Sequence, residues 1–219
     1  MTLSAAALAI AVASSAEAAT YTVYTDRAAF LAAAGQVASE DFNSGNPENF
    51  FFRESSVDIG DFRLTDVRSP QTGLFSKIGA TPVGGQTIDG TRFVETFGVS
   101  GGAQDAGLVL TFDNALRAFG ANFASGGSNN VQLRIGGESF FKTNFSLGGF
   151  FGVVADGDFN DVLITAPINT GTIVAFDNVL YGSGAAAVPE PASWAMMIAG
   201  FGIAGATARS RRARARVLA

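Results

Sequence analysis

From Gly35 to Tyr181 the apolar residues come in runs of four to eight, rich in phenylalanine and β-branched side chains and separated by clusters of Gly, Asn, Asp, Ser and Pro. A helix that buries one face needs ten or more residues with apolar positions at helical spacing, whereas runs this short suit strands. The body is therefore expected to be all-β. Strands are expected near residues 38–42, 62–67, 74–78, 92–97, 107–112, 118–124, 131–135, 138–143, 150–154, 161–165 and 172–181, preceded by a short strand over 20–24. Clean alternation in Val131-Gln132-Leu133-Arg134-Ile135 and in Val162-Leu163-Ile164-Thr165 gives each of these strands one wet face, so two sheets should pack face to face. Gly136-Gly137 between two such runs is a two-residue hairpin signal.

One helix interrupts this pattern. Thr25 or Asp26 can cap Arg27 to Ala34, and Gly35 stands where a left-handed residue closes a helix. Most of the 20 phenylalanines, including Phe112, Phe119, Phe123, Phe141, Phe151 and Phe176, read as core of a jelly-roll-like β-sandwich. The chain has no cysteine, so packing and not disulfides must hold that core.

The two ends read differently from the body. Leu3 to Ala13 is apolar and small, and Ala16-Glu17-Ala18 is a signal-peptidase pattern, so cleavage is expected after Ala18. No basic residue precedes Leu3, which suggests a true start further upstream. At the other end no charged side chain occurs from Ala192 to Ala208, and 17 residues of helix rise about 25 Å, enough to cross a bilayer core. Arg209, Arg211, Arg212, Arg214 and Arg216 follow at once and would hold that end in the cytoplasm, leaving the body outside. Trp194 falls near the opposite interface. Pro189 and Pro191 withhold two amide donors and keep the approach to this helix extended, as a processing enzyme requires. Gly200 to Gly205 matches the dinucleotide pattern G-x-G-x-x-G, but it lies inside the apolar span with no strand before it, so nucleotide binding is rejected.

Pro189-Glu190-Pro191, two residues, Trp194-Ala195, a Gly-rich apolar helix and the arginine cluster resemble the PEP-CTERM sorting signal in its PEPxxWA form, over residues 188–216. The same kind of tail is also described as an ice-binding protein C-terminal domain, a label that gives no evidence of ice binding. The resemblance implies recognition of Pro189, Glu190, Pro191 and Trp194 by an exosortase-like membrane protease, with residues 192–208 as a transient anchor in the membrane and the arginines as stop signal. It implies export in a Gram-negative bacterium, an inner-membrane intermediate, and delivery to the cell surface or an exopolysaccharide matrix. The domain division follows: a signal peptide over 1–18, a β-sandwich body over 19–187 and the sorting signal over 188–216. Tyr21 to Phe30, Glu40-Asp41-Phe42, Phe151 to Asp156 and Phe176 to Gly182 resemble β-sandwich bodies commonly joined to this tail.

Composition narrows what the body can do. It holds nine basic and seventeen acidic side chains, a net charge of −8, which disfavours nucleic acid as a partner. With neither histidine nor cysteine, a Ser-His-Asp or Cys-His nucleophile and a His-based zinc site are excluded. Paired carboxylates still leave glycoside hydrolysis open. Asp156, Asp158 and Asn160 place oxygen ligands at alternate positions that can converge on Ca²⁺, although Asp161 stands where an EF-hand loop wants Gly. An acidic turn between two strands accounts for the same residues. Phe50-Phe51-Phe52 could form an aromatic platform for a polysaccharide, against the default of core packing. Asp177-Asn178 reads as turn or edge chemistry. The leading expectation is a non-enzymatic structural or adhesive surface protein without a cofactor, Ca²⁺ aside. The alternatives are a carbohydrate-binding or carbohydrate-active protein and a permanently anchored one.

Overall fold

The computed structural model describes residues 19–44, 49–51, 54–67, 76–82, 87–97, 107–126, 130–143, 148–165 and 173–184. The signal segment with Ala16 and Ala18, and the tail with Pro189, Glu190, Pro191, Trp194, the apolar span and the arginines, lie outside these residues. Among the described residues no helix is long and apolar enough to cross a membrane.

The elements in chain order are β1 (Tyr21–Tyr24), α1 (Arg27–Ala34), β2 (Ala38–Glu40), β3 (Asn49–Phe51), β4 (Ser56–Asp58), β5 (Phe62–Asp66) and β6 (Ser76–Gly79). They continue with β7 (Phe93–Phe97), β8 (Leu108–Gly126), β9 (Val131–Ile135), β10 (Glu138–Lys142), β11 (Gly149–Thr165) and β12 (Ile173–Gly182). The all-β expectation and the single helix therefore hold. Asp26 and not Thr25 caps α1, accepting from Ala29 N at 2.8 Å, and Gly35 closes it at φ 72° with its N–H donating to Leu31 O. Gly136 and Gly137 sit at φ 59° and 89° in the β9–β10 hairpin, where Glu138 pairs with Ile135.

All twelve strands are hydrogen-bonded into one sheet, and all the pairings are antiparallel. Two very long strands make this possible. The first half of β8 pairs with β5 and with the second half of β11, which in turn pairs with β9. The second half of β8 pairs with the first half of β11 and with β12. Beyond these lie β4 and β10 in one layer, and β1, β2, β7, β6 and β3 in the other. The sequence divided β8 at 112–118 and β11 at 154–161, because both stretches carry turn residues. The structure corrects this: the chain bends there without leaving the sheet, and the sandwich is one sheet folded over itself.

Side-chain parity shows how the fold-over works. Leu108, Leu110 and Phe112 are buried on even positions of β8, and Phe119, Ala121 and Phe123 on odd ones. Along β11 the buried set changes from Phe151, Val153 and Phe159 to Val162 and Ile164. Register shifts flank Phe159, so bulges turn both halves of each strand toward one core. Across that core Phe62 of β5 meets Tyr181 of β12 at 5.6 Å between centroids, and Phe42 meets Phe176 at 6.0 Å. Each fully buried ring stabilises the fold by about 1.5–3 kcal/mol, which is how a chain without disulfides holds together. Phe141 departs from expectation. Its neighbour Phe140 packs toward the core, so alternation turns Phe141 outward at 61% exposure.

The second layer is covered on its outer face as well. Gly120 and Gly152 are directly opposed on β8 and β11, and they let α1 settle against the sheet. A Cβ on Gly152 would come within 2.8 Å of Phe30 and one on Gly120 within 2.6 Å of Phe150. Phe30, Ala34, Ala118, Phe150 and Leu180 form a second buried cluster there.

Candidate functional site

The acidic segment is not a turn. Asp156, Asp158 and Asn160 lie on the bent middle of β11, where alternate residues are roughly 6.5–7 Å apart along the strand. Each already has its own partner. Asp156 accepts from Thr20 N at 2.7 Å and from the Thr20 hydroxyl, and its backbone N–H donates to Thr20 O. These bonds hold its carboxyl below the usual aspartate value. Asp158 accepts from Arg117 Nε at 2.6 Å, and Asn160 Nδ2 reaches Phe112 O at 3.5 Å. The next acid, Asp161, accepts from the Thr111 hydroxyl at 2.7 Å. Each of the three sequence-predicted ligands is thus engaged by a group from another part of the chain, and Asp156 clamps the first residues of the body.

A tighter polar cluster lies where the sequence signal was weakest. Asp177 and Asn178 stand inside β12 and not at its edge, at the point where its register with β8 shifts. Asn178 takes φ 52°, the left-handed region in which Asn is tolerated. Asp177 is fully buried and accepts from Asn178 N at 2.6 Å. Asp89 accepts from Asn178 Nδ2 at 3.1 Å, from Thr91 N at 2.9 Å and from the Thr91 hydroxyl at 2.5 Å. That hydroxyl also lies 3.5 Å from Asp177 Oδ2. Burial, reinforced by the negative charges of Asp89 and Asp41, pushes Asp177 up to about 7, whereas the Thr91 hydrogen bonds hold Asp89 down. The pair can store a proton near neutral pH. A hard cation asks for six to eight oxygen ligands, and among the described residues no three acidic, histidine or cysteine side chains gather to begin such a set.

A cleft of about 480 Å³ opens between the α1–β2 turn at Gln36 to Ala38, the β8 bend at Asn114 to Leu116 and the end of β12 at Tyr181 to Ser183. A smaller hollow of about 100 Å³ shares Asn114, Leu116 and Tyr181 with it and reaches Asp61 and Phe112. Tyr181 donates its phenolic hydrogen to Asp61 Oδ2 at 2.8 Å. Burial first, then that carboxylate and the nearby Glu40, raise the Tyr181 phenol far above its ordinary value, so it stays protonated. Burial also raises Glu40, which accepts from Phe42 N at 2.6 Å. Sequence reasoning missed this cleft, because its three walls come from segments more than sixty residues apart.

Of the aromatic run, Phe50 on β3 is 47% exposed with Lys77 Nζ 5.1 Å from its ring centroid. The default expectation of core packing is thereby corrected for this one ring. Phe51 continues β3, and Phe52 lies outside the described residues.

The tail is settled by comparison with known families. A model described as the PEP-CTERM protein-sorting motif matches residues 187–212, which contain Pro189, Glu190, Pro191, Trp194 and the first of the arginines. The chain carries a PEP-CTERM sorting motif. The motif indicates an exported protein that is handled at the membrane, and in general it implies processing by an exosortase. Among solved structures, the K2 cleaved adhesin domain of Lys-gingipain (Kgp) matches at 10% identity over 68% of this chain and 98% of that one, with a TM-score of 0.32. At that score the likeness carries no argument. No curated protein matches the chain.

Proposed function

We propose that this PEP-CTERM protein is made with a signal peptide over residues 1–18, held briefly in the inner membrane by residues 192–208, cut near Pro189-Glu190-Pro191 and delivered to the cell surface or matrix. There the β-sandwich body over 19–187 serves a structural or adhesive role. The observation that carries this reading is the sorting motif at 187–212. Two features of the body support it. Thr20, two residues after the proposed cleavage at Ala18, is clamped into the sheet by Asp156, so the body is anchored from its first residues. The large phenylalanine core lets the body hold together without disulfides.

The test is the intact mass of the protein recovered from outside the cell. It should begin near Ala19 and lack the residues from about Ala192 onward. Recovery of a chain that keeps all five tail arginines would establish a permanent anchor instead. A carbohydrate-binding body is the second reading, favoured by the cleft between the β8 bend and the end of β12.

A further inference from the structure

We propose that the cleft bounded by Gln36, Asn114, Tyr181 and Ser183 is a binding site for a neutral saccharide unit. This deepens the carbohydrate-binding reading and rests on it, but it does not depend on how the chain is sorted.

The volume and the lining point the same way. At about 480 Å³ the cleft falls within the roughly 300–1,000 Å³ of small-molecule sites. Its lining residues include Gln36 and Asn114, which carry carboxamides, Ser183 and Tyr181, which carry hydroxyls, and the apolar Leu116 and Val37. A carboxamide offers both donors and an acceptor, which suits vicinal hydroxyls that also donate and accept. The apolar wall suits the C–H face of a sugar ring. Among the described residues neither the cleft nor the adjoining hollow is lined by Lys or Arg, while Asp61 lines the hollow. Arg117, whose side chain packs beside Gly184 at the rim, is already paired with Asp158, so a phosphate, sulfate or uronate would find no free counter-charge in the lining and a nearby carboxylate to repel it. A neutral ligand would meet no such penalty.

The site is also held in shape before any ligand arrives. The Tyr181 ring packs against both Phe62 and Phe112, at 5.6 and 5.1 Å between centroids, and its hydroxyl is aimed by Asp61. The hydroxyl hydrogen is committed to that carboxylate, so the phenol oxygen meets a ligand as an acceptor. Asn114 sits on the bend of β8, whose position is secured by the Asp113 N–H donating to Asp61 O at 3.1 Å. Preorganisation of this kind reduces the ordering cost of binding.

The experiment uses the full chain in a zwitterionic detergent without a sugar headgroup. Glucose, galactose, mannose and N-acetylglucosamine, their β-linked disaccharides, and glucuronate as a charged control are titrated while backbone and side-chain amide resonances are followed. At least one neutral sugar should give saturable shifts at Gln36, Asn114 and Ser183. Asn114→Ala changes an exposed side chain, and with its melting temperature intact it should weaken that binding about tenfold through loss of the carboxamide bonds. Ser183→Ala, at a second exposed position, should weaken it less. The proposal is overturned if no neutral sugar shifts these amides, if binding survives Asn114→Ala unchanged, or if glucuronate binds as tightly as glucose. None of these outcomes alters the mass of the exported form, so failure here and failure of sorting are separable.

Discussion

Asp177 shows how far a residue's setting can depart from its local sequence. Asp-Asn reads as a turn because such side chains bond nearby backbone; here Asp177 does so, accepting from Asn178 N, while the Asn178 carboxamide donates to Asp89. The sequence could not show that this geometry is built into the interior of β12, since the elements that bury it come from Asp89, Thr91 and the β8 strand. The consequence is measurable. Asp177 is raised from its ordinary 3.8 to about 7, so between those values the folded chain binds a proton that the unfolded chain has released. Stability must fall as pH rises through that window. Asp177→Asn keeps the shape and the acceptor but cannot ionise. Its melting temperature should exceed that of the wild type above pH 7 and decline less between about pH 4 and pH 7, with a residual slope from Glu40, which is raised by the same cause. Equal declines in thermal melts of the two proteins would show that Asp177 is not the group responsible. Phe140 and Phe141 give a second residue-scale lesson: two adjacent phenylalanines on one strand cannot both face the core, and only the register with β9 decides which does.

At the scale of elements, α1 with its Asp26 cap and the Gly136-Gly137 hairpin were legible because their signals are local. So were the alternating faces of β9 and of the second half of β11. The continuity of β8 and β11 was not, because a bulged bend uses the same Asp, Asn and Gly as a loop, and only the resumption of pairing beyond it distinguishes the two. The short edge strands β3 and β4 were missed for a related reason: three residues are too few for a period to show. Where α1 meets the sheet, the glycine pair is the element's seat. Gly152→Ala would drive a methyl group to within 2.8 Å of Phe30, and overpacking of this sort costs about 1–3 kcal/mol. Urea denaturation should show that loss. A larger effect than that of an alanine placed at exposed Gly137 is not enough, because Gly137 has positive φ and is strained in its own way. The informative sign is recovery of stability in the double variant with Phe30→Leu, which gives the new methyl room. Absence of recovery would mean that α1 is not seated on this pair.

For the whole molecule, the sorting motif was readable from the tail alone, because an apolar run, a basic cluster and a Pro-Glu-Pro approach are each recognisable without a fold. The cleft was not, since no local pattern joins residues 36, 114 and 181. The tail makes its own prediction. Replacing Pro189, Glu190 and Pro191 with alanine leaves the span and arginines in place, so the chain should still be inserted, while an uncut species about 3 kDa heavier, roughly 28 residues of helical and basic tail, accumulates in the inner membrane. Cutting and release as in the wild type would remove Pro-Glu-Pro as the recognised element. The place where that tail joins the body has a mechanical meaning. β12 is hydrogen-bonded along both edges, to β8 on one side and to β7 and β2 on the other, whereas among the described residues β1 has only β11 beside it. A load applied through the tail enters the sheet at the end of β12, where β8 and β2 share it, and β7 takes it up further along. Tension between residues 21 and 182 in an optical trap should therefore strip β1 away first, at low force, with β12 among the last strands to yield. A trace in which the C-terminal strand detaches first would show that the load is not shared. A surface protein handled by its C-terminal end is thus gripped where its sheet is hardest to pull apart.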